Sequence, residues 1–443
     1  MKINCQLVLT TVFVFLLAGF TPDGMAQYSS SDAYTLLGYG SGAERNNITD
    51  LQQKLQSGEI ELEYNSERGY LDNLLQVLDI DPDSQMLVFS ATSLQNKLIT
   101  PEKPRGLYFN SKTYIGYVQN SNIVEVITTD NKFGPVFYTF DNTRGTKKYF
   151  EYADQQCLVC HDSQGTVGDG VPMLMALSSV YNDRNIPIKN YSGVGNVGDQ
   201  TPIEDRWGGW YVTGRHGVQP HLGNVLLEDA KDLENLDDYR VWNVENLQKA
   251  GLVDTSPYPK ETSDIVALMV LEHQITIQNQ ITYIKFKAPV VPKRRGIEIP
   301  ENVKSWADLP EPAQKALSRM MDKLVSQMVF VDAADLTSRI SGSQAFVDGF
   351  LAERKQDPSG RSLRDLDLRN RLFKYPLSYL IYSDEFTSLP PYAKDYIYQQ
   401  LARYLNGEEL FEGHSQFTLE ERKAALDILS ATEPAFAPYK DHL

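Results

Sequence analysis

The run Cys157-Leu158-Val159-Cys160-His161 places two thiols three positions apart and an imidazole directly after the second. That is the spacing by which a haem is attached covalently. Each sulfur adds to one vinyl group, and the adjacent His161 becomes the proximal iron ligand. A Cys-x-x-Cys pair is also half of a tetrahedral zinc site, but zinc needs four ligands and no second pair occurs in the chain. A dithiol redox centre, the other alternative, opens a helix after a strand, and Asp162-Ser163-Gln164-Gly165 does not continue as one. Of the three cysteines, Cys5 falls in a segment expected to be removed, so no disulfide competes for the remaining two. One covalently bound haem c is therefore expected, held by Cys157 and Cys160 with His161 on the iron.

A second donor on the far side of the iron has several candidates. Glu204-Asp205-Arg206-Trp207-Gly208-Gly209-Trp210-Tyr211-Val212-Thr213-Gly214-Arg215-His216-Gly217 is followed closely by His221-Leu222-Gly223-Asn224. Two of the six histidines fall here, and His221, with His216 as the alternative, is the preferred distal ligand. The paired aromatics fit a haem wall equally with ordinary core packing. Met173 or Met175 offers a thioether, although methionine in an apolar run usually fills core. His273, on a largely apolar helix, is a further candidate, whereas His414 and His442 lie in polar ends and read as solvent-exposed.

The elements that must position these groups read as α+β. Residues 1–26 start with Lys2, run through an apolar stretch from Leu7 to Phe20 and end in Gly24-Met25-Ala26, the pattern of a secretory signal peptide. The apolar run is shorter than the roughly 20 residues of a membrane span, so none is expected after cleavage. Export and haem attachment point to one compartment, the periplasm. Residues 27–150 form a β-rich part: runs at 86–90, 113–118, 123–129 and 136–140, split by turn residues such as Asn120-Ser121-Asn122, predict an antiparallel meander. Short helices are expected at 47–56 and 69–78, and Gly38-Tyr39-Gly40-Ser41-Gly42 reads as a loop. Residues 151–288 carry the haem motif and end in a helix over 261–284, for which Thr262, Ser263 and Asp264 all offer cap chemistry. Pro289 to Pro300 is the best boundary. Residues 289–443 read as an α-helical domain. Pro312 opens a helix with Leu317, Met320, Met321, Leu324 and Met328 on one face, Pro391 opens one that stops at Gly407, and Thr418 with Glu421 makes a capping box.

The net charge of −16 argues against nucleic acid and anionic membrane surfaces and suits a basic redox partner protein. The chain resembles an uncharacterised family of secreted single-haem c-type cytochromes, the cytochrome c domain-containing proteins. The likeness rests on Gly106-Leu107-Tyr108-Phe109-Asn110, Val136-Phe137-Tyr138, Cys157 to His161, Glu204 to Gly217 with His221 to Asn224, Ser263 to Gln274, and Gly360-Arg361-Ser362-Leu363-Arg364-Asp365 through Tyr379-Leu380-Ile381-Tyr382-Ser383. It implies Cys157, Cys160 and His161 as the haem-binding residues, and it implies no reaction, substrate or distal ligand. The expected function is electron transfer by a monohaem cytochrome. One alternative is a haem-dependent oxidoreductase with an open distal site, in which His216, His221 or Arg215 acts as acid or base. The other is a haem-based redox or gas sensor.

Overall fold

The computed structural model describes residues 32–145, 149–162, 170–193 and 196–440. The expected signal peptide, Gly165 and His442 lie outside the described residues. An antiparallel sheet runs in strict sequence order through β1 (Met86–Val88), β2 (Arg105–Phe109), β3 (Thr113–Val118), β4 (Ile123–Asp130), β5 (Gly134–Asp141) and β6 (Phe150–Tyr152). The meander expected from four runs is thus present with two further strands. The register pairs Leu107 with Gly116, Gly116 with Glu125, and Glu125 with Thr139.

Because side chains alternate, that register assigns each residue a face. Tyr108, Ile115, Tyr117, Val124, Val126, Val136, Tyr138 and Phe140 share one face. They pack against α2 (Asn47–Ser57) and α3 (Leu71–Val77) through Ile48, Leu51, Leu71, Leu74 and Leu75. Val244, Leu247, Val253 and Tyr258 join the same cluster. The other face carries Arg105, Leu107, Phe109, Tyr114, Gly116, Glu125, Ile127 and Phe137.

Two elements lie on that second face. The first, α4 (Asp154–His161), follows β6 at once and holds the Cys-x-x-Cys-His run in its last turn and a half. The second is α5 (Ile265–Lys287), buried almost all round: it opens with an apolar run from Ile265 to Leu271 and then buries polar residues among apolar ones. Asp264 caps α5 by accepting the N–H groups of Val266 and Ala267, each at 2.9 Å. The polar residues of α5 are satisfied by tying it to the sheet: Gln274 donates to the Asn110 carbonyl at 2.8 Å and Gln278 to that of Ser111 at 2.9 Å. A short helix, α1 (Asp32–Leu37), covers the C-terminal end of α5, with Tyr34 and Tyr39 edge-on to Phe286.

The later elements are β7 (Ser179–Asn182), β8 (Pro187–Asn190) and β9 (Leu226–Leu227), then α6 (Val290–Arg294), α7 (Glu311–Met328), α8 (Gln344–Ala352), α9 (Asp384–Thr387), α10 (Pro391–Leu405) and α11 (Leu419–Thr432). The small sheet β8-β7-β9 escapes a reading by pattern because its strands are very short. The helical C-terminal part matches expectation in detail. Thr418 and Glu421 form the capping box, and Pro391 opens α10. The expected boundary at Pro289 is a joint between two helices, since α6 begins three residues after α5 ends. One hydrophobic core runs across it, from Met86 through α5 to Phe436. No helix among the described residues is long and apolar enough to cross a membrane.

Candidate functional site

On α4 the thiols of Cys157 and Cys160 and the ring of His161 fall within two turns, with Cys157 half-buried and Cys160 exposed; neither is in a disulfide. The helix is fixed from below. Phe137 of β5 packs its ring 4.7 Å from the His161 ring, and Leu158 enters a small core with Phe137, Val171 and Phe286. At its start, Asp154 accepts the Phe137 N–H at 3.2 Å.

After His161 the chain returns, and Met173 N–H donates to the His161 carbonyl at 3.0 Å. The His161 ring makes the complementary bond: its Nδ1 lies 2.5 Å from the Met173 carbonyl oxygen. A carbonyl only accepts, so Nδ1 carries the proton and Nε2 keeps its lone pair. No hydrogen bond engages Nε2 among the described residues. Burial pulls the imidazole below its ordinary value, opposed by the Met173 carbonyl, which favours the protonated ring. The result is a neutral imidazole, oriented and presenting one nitrogen, as a metal-bound histidine requires.

The surroundings of Cys157 differ from those of a disulfide-exchanging thiol. Burial, with the Glu125 and Asp154 carboxylates adding to it, pushes the Cys157 thiol up to about 12. A disulfide-exchanging cysteine is held low, at a helix N-terminus or beside a cation. Cys157 is instead the fourth residue of α4, inside the helix. Among the described residues no group of three or more His, Cys, Asp or Glu is placed to hold a metal ion.

The sheet face adds two charged residues that the sequence reading did not single out. Arg105 Nη1 meets Glu125 Oε2 at 2.8 Å across Gly116, whose missing side chain leaves the room, since a Cβ there would stand 3.0 Å from that oxygen. Arg105 Nε and Glu125 Oε1 are buried without a partner among the described residues. Both residues act electrostatically on His161, and Glu125 also on Cys157. Only the register places them there, which is why no local pattern marks them.

The proposed distal ligands lie elsewhere. His216 and His221 stand against each other, ring centroids 4.3 Å apart, between Trp242 and Trp207. Burial holds both below the ordinary histidine value, hence neutral. Nδ1 of His216 meets the Gln219 carbonyl at 2.7 Å and its Nε2 accepts the Asn243 N–H at 3.1 Å. Nδ1 of His221 accepts the Gly223 N–H at 3.0 Å, which leaves the proton on Nε2. In these tautomers neither offers a lone pair to iron, and neither touches His161. His273 is likewise engaged at both nitrogens, by Asp199 and Ser378, each at 2.7 Å. Met173 engages His161 through its backbone carbonyl, and its side chain packs in the small core with Phe137, Leu158 and Val171. Arg215 is exposed and paired with Glu245. His414 is exposed, as expected.

The Arg206-to-Gly217 block has a structural role instead. Gly209 and Tyr211 pair with β1 through the Phe89 and Leu87 backbones, and Trp210 Nε1 donates to the Leu177 carbonyl at 2.8 Å. A Cβ on Gly208 would stand 2.8 Å from the Ser179 backbone, so only glycine permits this approach.

Comparison with protein-family models, with curated proteins and with solved structures finds no match for this chain.

Asp154 gives the site a pH dependence. Burial raises its carboxyl to about 6, with the Phe137 N–H opposing. The folded state therefore holds a proton more tightly than the unfolded chain between about pH 4 and 6. The stability this contributes is complete below about pH 4 and is lost as pH rises through 6, by at most about 3 kcal/mol. Asp154→Asn is expected to flatten the denaturation midpoint against pH across that window. An unchanged slope would show that Asp154 does not titrate there.

Proposed function

We propose that this chain is an exported, periplasmic monohaem c-type cytochrome that carries electrons, akin to the secreted single-haem family it resembles. The observation that carries the reading is the His161 Nδ1 bond to the Met173 carbonyl, which leaves Nε2 as a ligand directly beside two thiols outside any disulfide. Cys157 and Cys160 would hold the haem through thioether bonds and His161 would bind its iron. Haem supplies a one-electron ferric–ferrous couple when bound.

The chain's own residues would tune that couple. The Met173 carbonyl raises the basicity of the imidazole, favouring the ferric state, and Phe137 fixes the ring plane. The unpartnered Arg105 Nε and Glu125 Oε1 set charge and hydrogen-bonding capacity beside the site. Exposure of Val159 and Cys160 keeps one side of the motif at the surface, where a redox partner protein can approach, and the acidic chain suits a basic partner.

A haem-dependent oxidoreductase is favoured instead by one observation: His216, His221 and His273 all have their lone pairs committed elsewhere. Visible and electron paramagnetic resonance spectra of the protein matured with haem-attachment machinery decide between them. Electron transfer predicts a low-spin c-type spectrum that carbon monoxide leaves unchanged in the reduced form. High-spin iron that binds carbon monoxide would overturn electron transfer in favour of the oxidoreductase, and absence of covalent haem would overturn both.

A further inference from the structure

Between α5, α6, α7 and the loop at residues 196–201 lies a cleft of ≈ 850 Å³. It is within the size range of small-molecule sites. Its charge is opposite to that of the chain. Arg295, Arg319 and Lys323 line it, all exposed, and none makes an ion pair among the described residues. The one carboxylate among its described lining residues, Asp199, is taken by His273 at 2.7 Å. In a chain of net charge −16, three unpaired cations around one concavity focus a positive potential where an anion can enter.

The lining explains why these charges converge. Ala316, Arg319, Met320, Lys323 and Gln327 stand at i, i+3, i+4, i+7 and i+11, so one face of α7 is turned to the cleft. Arg295 comes from the turn after α6. Met173, Met320, Phe330 and Val331 supply apolar wall. Gln327 Oε1 is buried on this lining with no partner among the described residues, an acceptor that a hydroxyl or N–H of an occupant would satisfy.

We infer that this cleft binds a small organic anion with at least two acidic groups, an apolar body and a hydrogen-bond donor. The acidic groups pair with Arg319, Lys323 and Arg295, the body lies on Met320 and Phe330, and the donor meets Gln327. Arginine's fork suits carboxylate or phosphate alike. The inference is independent of the haem reading, although Met173, which lines the cleft, also holds His161 by its carbonyl. An occupant therefore sits one residue away from the proposed haem ligand.

The probe is 5-hydroxyisophthalate, an aromatic dicarboxylate with one hydroxyl, titrated calorimetrically into the full matured chain at low salt, with its neutral diamide as control. Saturable one-to-one binding below about 1 mM is expected. Arg319→Glu with Lys323→Glu should weaken it at least about tenfold, as should replacement by the diamide. Both residues are exposed, so folding should survive, and circular dichroism checks that it does. Lys315→Glu, exposed on the same helix but outside the cleft, should change affinity less than about twofold and controls for net charge. No saturable binding to the unaltered protein, equal binding of the diamide, or indifference to the double reversal would each overturn the proposal.

Discussion

Replacing both Cys157 and Cys160 by serine is expected to abolish covalent haem, so that no haem stain survives on a denaturing gel, while the far-ultraviolet circular dichroism stays that of the unaltered chain. Serine keeps the size and the helical geometry of α4 but forms no thioether, and neither cysteine closes a disulfide whose loss would unfold the protein. The single variants divide the roles. Cys160→Ser, at the exposed position, should retain haem through the remaining thioether, with a shifted reduced α-band. His161→Ala should weaken retention and lose the low-spin signature, because it removes the imidazole nitrogen that the Met173 carbonyl leaves free to bind iron. Met173→Leu should leave the spectrum unchanged, since Met173 acts through its backbone carbonyl. Haem stain in the double serine variant would refute attachment at this motif. A changed spectrum in Met173→Leu would return the thioether to the iron.

Glu272→Ala is expected to destabilise the protein by about 3–5 kcal/mol, the usual result of stranding one member of a buried ion pair. Arg206 Nη1 meets Glu272 Oε2 at 2.9 Å, and both side chains are almost wholly excluded from solvent. Burial raises the Glu272 carboxyl to about 7 against the pull of Arg206, so the carboxyl can discharge by taking a proton. The guanidinium cannot, which makes loss of Glu272 the costlier deletion. Arg206 also donates to the Thr201 and Asp199 carbonyls, at 2.8 and 2.9 Å, and so pins the loop that walls the cationic cleft. Arg206→Met combined with Glu272→Leu should recover most of the lost stability, because an apolar pair of similar volume avoids the desolvation cost. Denaturant unfolding of the two single variants and the double variant measures the coupling. A cost below about 1 kcal/mol for Glu272→Ala would mean that water reaches Arg206.

The candidate site was legible only where its residues are neighbours in the chain. Two thiols and an imidazole at that spacing can be read as a candidate haem motif without a fold. The partner of His161, twelve residues on, is a backbone carbonyl, which every residue owns and no pattern marks. Histidines near aromatics mark a distal ligand in sequence, yet the groups that engage the rings of His216 and His273 come from distant positions: the Asn243 backbone N–H for the first, the Asp199 and Ser378 side chains for the second. The Trp-Gly-Gly-Trp block is composed much as a haem wall would be, and pairing with β1 makes it part of the core instead.

By itself the sequence determined the meander, through alternation and its turn residues. It also determined the helical C-terminal part, through 3.6-residue periodicity and caps such as Thr418, and the Cys157-to-His161 run, through local spacing. These are short-range properties, decided within a few residues by dihedral preference and side-chain alternation. Only the tertiary structure decided that Arg105 and Glu125 meet beneath α4, that histidine lone pairs are already committed, that the core crosses Pro289, and that three cations share a cleft. Each depends on register and packing between distant segments, where a one-residue shift reverses every face, and no local preference encodes that choice.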